Sequence, residues 1–191
     1  GTALLPALSG LLARSEKHKF SQTTRQYLEL NLLLTMAAAA GLYVLAQPIV
    51  NLLFGRGRFL PSSVLATSDI LKTYCWIMIF SSGVRVLSPA YYAVKNTWFP
   101  ALSSCFCLIV HLIIAPQLMA RYQVQGLMIS TIISAILNLS LLLIFFKKLV
   151  ADFEYAIFFR NILVYSALAL LTAFVANIYF VIHDNIPKGG L

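Results

Sequence analysis

The sequence predicts an all-α fold, a polytopic bundle of helices that cross a membrane. Three observations predict it. Of 191 residues, 60% are hydrophobic and 10% are charged. The mean hydropathy is +0.86. The apolar residues fall in long runs, without the period-two alternation of membrane strands. A soluble domain is about 45–50% apolar and about 25% charged. A soluble fold of this size lacks the polar residues to cover so much apolar surface. Lipid takes the place of that polar exterior.

A crossing helix needs about 20 mostly apolar residues. In order, the qualifying runs are Leu30–Phe54, Ile70–Val94, Ala101–Ala120, Val124–Phe146 and Asn161–Ile182. Gly1–Ala13 is apolar but too short. It reads as the end of a helix that begins upstream, so the sequence is expected to be part of a longer chain. It lacks the basic start and small-residue cleavage pattern of a signal peptide. Residues 1–148 are expected to form one bundle, and residues 149–191 a linker followed by an additional terminal helix. Lipid cannot satisfy backbone hydrogen bonds, so every span should be helical throughout. Pro48 and Pro116 lie near span ends, where a missing donor costs little. Pro89 lies between Arg85 and a basic loop.

The basic residues set the expected topology. Arg14, Lys17, Lys19, Arg25, Lys95, Lys147, Lys148 and Arg160 fall on one side. Arg56, Arg58, Arg121 and Lys188 fall on the other, with Lys72 and Arg85 inside a span. The richer side should be cytoplasmic. Loops 14–29, 95–100 and 147–160 are then inside, and 55–69, 121–123 and 183–191 are periplasmic. Residues 147–160 mix charges with Phe153, Tyr155, Phe158 and Phe159, which suits a short interfacial helix. The net charge of +8 is spread over short loops on both sides. That pattern fits topology signals and attraction to anionic membrane lipids, and argues against nucleic acid.

No enzyme signature stands out. Phosphate-binding glycine loops, HExxH and GxSxG are missing. No cofactor motif or metal-ligand spacing is present, and no coupling ion is named by the sequence. Cys75, Cys105 and Cys107 lie in spans and read as small hydrophobes. The spacing of Cys105 and Cys107 points them to different helix faces.

Polar residues at membrane depth carry the functional expectation. Arg85 lies about 13 Å from the end of its span, at 1.5 Å per residue. A charge that deep costs at least ~2.5 kcal/mol and normally faces a bundle interior or a wet cavity. Snorkelling to the headgroups is the alternative. A cavity arginine suits an anion, above all a phosphate. Lys72, nearer its span end, reads as snorkelling. His111 is open to two readings, a proton-responsive pathway residue or a partner for a neighbouring helix. Asn138 belongs to an unusually polar span with Ser130, Thr131, Ser134 and Ser140. Such residues usually serve helix packing, and a place on the substrate pathway is the sharper expectation.

Four blocks carry a resemblance. Residues 1–9 (GTALLPALS), 45–59 (LAQPIVNLLFGRGRF) and 85–93 (RVLSPAYYA, then Asn96, Thr97 and Pro100) come in order. Gly126 and Leu127, with Asn138 twelve residues beyond Gly126, follow. Together these resemble the MurJ (MviN) family of lipid II flippases across Gly1–Lys148, while Asn161–Ile182 matches only in hydropathy.

The resemblance implies a two-lobed exporter fold with a central cavity that opens alternately to either side. It implies transfer of lipid II, an undecaprenyl-pyrophosphate-linked cell-wall precursor, across the bacterial cytoplasmic membrane, and no enzymatic activity. This chain would supply most of the second lobe and the first of two terminal helices, its partner being the first lobe of the same protein. A groove for the lipid tail is associated with those terminal helices. Arg85 matches a basic, cavity-facing position. Some relatives bind sodium through polar residues one turn apart in the following span. The matching Cys107 and His111 are poor ligands for a hard cation. An exporter of another polysaccharide lipid or a drug shares the fold, and a non-transport membrane scaffold is the alternative from another class.

Overall fold

The structure is a computed structural model that describes residues 4–56, 60–150 and 152–184. Six helices account for it: α1 (Leu4–Ala13), α2 (Lys17–Phe54), α3 (Pro61–Ala93), α4 (Trp98–Tyr122), α5 (Val124–Leu149) and α6 (Tyr155–Asp184). Helices α2 to α6 are each long and apolar enough to cross a membrane. Gly1–Ala3, Arg58 and Lys188, used above, lie outside the described residues.

Three expected loops prove shorter. Residues 17–29 are not loop but the first turns of α2, which runs for 38 residues. The reason is a buried stripe at helical spacing: Phe20, Thr24, Leu28 and Leu32, flanked by Ser21 and Glu29. The 55–69 loop likewise shrinks, because α3 starts at Pro61, a residue suited to a first helical turn. Among the described residues of 147–160 there is no separate interfacial helix. Lys147 and Lys148 complete α5, Tyr155 opens α6, and only a short link remains between them.

Helices α6, α2, α3, α5 and α4 lie side by side in that order, each packed on the next, and α1 sits against α2 and α3. Helix α4 is held almost wholly by α5. Two turns share one device. Ser15 and Lys95 have φ of 59° and 60°. Their N–H groups reach Leu12 and Tyr92 carbonyls, and those of Glu16 and Asn96 reach Leu11 and Tyr91. This Schellman pairing stops α1 and α3 without glycine.

The densest packing gathers at the end where these turns and the α5–α6 link meet. Tyr91 is fully buried there. Its ring stacks on Phe99 at 5.4 Å, meets Phe146 edge-on at 5.7 Å, and its hydroxyl donates to the Leu142 carbonyl at 2.7 Å. Phe146, Phe153 and Phe158 extend the cluster into the link. Edge-to-face rings of this kind contribute about 0.5–1.5 kcal/mol each beyond their burial.

Candidate functional site

Arg85 lies on an exposed face of α3. Its chain neighbours Val86 and Leu87 turn into the core. Gly83 faces α5, where an added Cβ would meet Leu139. At 3.6 residues per turn, Tyr74, Ser81, Ser88 and Tyr92 fall on the Arg85 side of the helix. Tyr74 and Tyr92 are exposed, and Ser81 and Ser88 half-buried. The sequence therefore builds a polar stripe along this side of α3. No hydrogen bond or ion pair within the described residues engages Arg85. The guanidinium keeps its five donors free, in a fork that fits a phosphate or carboxylate.

His111 and Asn138 stand elsewhere, on a single seam between α4 and α5. Ser103 Oγ donates to Asn138 Oδ1 at 2.8 Å, and Asn138 Nδ2 donates to Ser104 Oγ at 3.3 Å. Ser134 Oγ donates to the Cys107 carbonyl at 3.1 Å. His111 Nδ1 pairs with Ser130 Oγ at 3.1 Å. One helix climbs in steps of four while the other descends in steps of four, as an antiparallel pair requires. The seam closes at Ala115 and Gly126, both buried. A Cβ on Gly126 would strike the Leu118 carbonyl and approach Met119 N to 2.7 Å. Glycine is thus required for the close approach that lets a single residue, Gln123, join the two helices. Cys107 is buried and Cys105 exposed, in line with their spacing.

A second charged group escaped sequence reasoning. Arg25 pairs with Glu29 at 3.5 Å and also with Glu154 of the α5–α6 link. Ser21 Oγ donates to the Asp152 carbonyl, and Tyr165 of α6 lies beside Glu29. The side chains of Arg25 and Glu29 are only 11% and 10% exposed. The i,i+4 spacing of Arg25 and Glu29 signals their pairing. Glu154 lies 129 residues away, and nothing local announces it.

Three cavities between the helices stand out among the described residues, and Arg85 lines none of these three. A cavity of 640 Å³ lies between α2, α3 and α6. One of 420 Å³ follows between α5 and α6, sharing Met36 and Ile79 with the first. Trp76, Ile79 and Phe80 of α3 line these grooves. They sit roughly 120–180° round the helix from Arg85. Helix α3 therefore presents two distinct faces, one with Arg85 and one toward α6 that is apolar from Trp76 to Phe80.

Comparison with known proteins gives one answer. The family model described as lipid II flippase MurJ matches residues 1–188. The probable lipid II flippase MurJ of Bdellovibrio bacteriovorus is 43% identical over 148 residues, covering 78% of this chain and 28% of that protein. The probable lipid II flippase MurJ of Vibrio cholerae is 31% identical over 141 residues, covering 74% and 27%. A solved structure of lipid II flippase MurJ in an inward closed conformation superposes with a TM-score of 0.78 at 25% identity. That match covers 94% of this chain and 36% of the other. The chain thus spans a little over a quarter of the curated relatives it matches. Because the family model runs through nearly every residue, from the first apolar helix through α6, the chain belongs to the MurJ lipid II flippase family.

Proposed function

We propose that this chain forms one wall of a lipid II flippase, and that Arg85 is the residue with which this wall holds the precursor's pyrophosphate. The observation that carries the reading is the unpaired guanidinium, exposed at membrane depth on a stripe with Tyr74, Ser81, Ser88 and Tyr92. Such a charge is costly against hydrocarbon and favourable against water or an anion. A second lobe facing this stripe would enclose it as a cavity wall, and opening to either side in turn would carry the headgroup across. The end bearing the aromatic core holds Arg14, Lys95, Lys147 and Lys148, and is assigned to the cytoplasm. His111 and Asn138 hold α4 on α5 and are assigned to packing.

The test is complementation of a flippase-depleted bacterium by a full-length flippase carrying this segment. Arg85→Ala should reach normal membrane levels and fail to support growth. Arg85→Lys should restore part of it, since one ammonium replaces a bidentate fork. Normal growth of Arg85→Ala would remove Arg85 from the mechanism.

A further inference from the structure

The apolar groove between α2, α3 and α6 continues into a small polar pocket. The groove, 640 Å³, is lined by Met36, Tyr43, Trp76, Ala169 and Phe174 among others. The pocket, 240 Å³, is lined by Asp69, Lys72, Thr73 and Gln125, and shares Tyr43 and Trp76 with the groove. Gln125 is two residues beyond the α4–α5 turn, so the pocket lies near that end of the bundle, opposite the aromatic core. An apolar trough capped by charges near a membrane surface has the shape of an acyl chain joined to a headgroup.

The charges narrow the headgroup. Lys72 Nζ lies 3.3 Å from Asp69 Oδ1. The two side chains are 33% and 55% exposed. Together they are neutral, so a simple anion gains little from the pair. A zwitterion fits both poles. Lys72 keeps donors for a phosphate, and Asp69 keeps carboxylate lone pairs for an N–H cation. A quaternary ammonium has no N–H to give. We infer that Asp69, Lys72 and the groove under Trp76 seat one membrane phospholipid with a primary ammonium headgroup, its phosphate on Lys72 and its ammonium on Asp69. The seat lies on the face of α3 turned away from Arg85, so it stands or falls independently of the transport reading.

Trp76 lines both compartments and reports on the site directly. A full-length flippase carrying this segment is reconstituted in phosphatidylcholine vesicles with Trp76 as its only tryptophan, Trp98 and every tryptophan outside the segment being replaced by phenylalanine. Phospholipids with brominated acyl chains then quench it in proportion to their occupancy. Brominated phosphatidylethanolamine should show a relative binding constant roughly two- to fivefold above brominated phosphatidylcholine or phosphatidylglycerol, the scale of an exposed charge contact. A variant keeping Trp98 instead, at the other end of the bundle, should show no preference. Asp69→Asn should abolish the preference and Asp69→Glu retain it. Lys72→Gln should also abolish it. Equal quenching by the three lipids overturns the inference. So does a preference for phosphatidylglycerol, which would mark a plain cation site. Stronger quenching by a brominated polyprenyl phosphate would make the groove a tail site for the transported lipid, and no quenching at all would mean that protein covers it. Either result also overturns it.

Discussion

Replacing Asn138 separates a packing role from a place on the transport path. Asn138 makes two cross-helix contacts, at 2.8 Å with Ser103 and 3.3 Å with Ser104. The first has a good length, and the second is near the limit. Cross-helix polar contacts in membranes average about 0.6 kcal/mol and reach about 1.7 kcal/mol. Asn138→Leu should therefore destabilise by about 1–2 kcal/mol if both contacts count. Losing its partner does not strand Ser103, which also bonds the Pro100 carbonyl at 3.3 Å, so the cost stays at the modest end. The assay is reversible unfolding in bicelles, arranged as a double-mutant cycle with Ser103→Ala. A coupling of about 0.6–1.7 kcal/mol is expected for Ser103 with Asn138. The corresponding cycle with Ser104→Ala should give less. A coupling near zero would refute the seam as an energetic unit. Loss of transport with unchanged stability would refute packing as the role of Asn138.

Two other perturbations test the close contacts. Gly126→Ala should cost about 1–3 kcal/mol, because the new methyl meets backbone that cannot rotate away. Gly83→Ala should cost less, since its nearest neighbour is the Leu139 side chain, and equal losses in an unfolding assay would sink the distinction. Arg25→Ala should cost up to about 3–5 kcal/mol, as it leaves Glu29 nearly buried and unpaired. Glu154→Gln should cost below about 1 kcal/mol, because Glu154 is 53% exposed. Protease susceptibility of the α5–α6 link should rise in the same order, and the reverse order would show that Glu154 is the anchor.

Much of this protein was legible from its residues alone. Lipid demands long apolar helices with closed hydrogen bonding, so composition and run length suffice to find the five spans. The quoted motif blocks carried the family, which the match over residues 1–188 bears out. The depth of Arg85 follows from counting along a helix. What apolar runs do not mark is where a helix goes once it leaves hydrocarbon. The first turns of α2 continue because Phe20, Thr24 and Leu28 find a core to enter, and that core is assembled from α1, α3, α5 and the α5–α6 link. Direction round the axis was also beyond the sequence. Only packing shows that Gly83 meets α5 while Arg85 is left uncovered, and that Ser130, Ser134 and Asn138 meet α4. The pairing of Arg25 with Glu154 has the same origin, since charges 129 residues apart meet only when α6 folds back onto α2. Local chemistry determined that this chain lives in lipid, and tertiary packing decided which of its few polar groups meet a neighbouring helix and which are left uncovered.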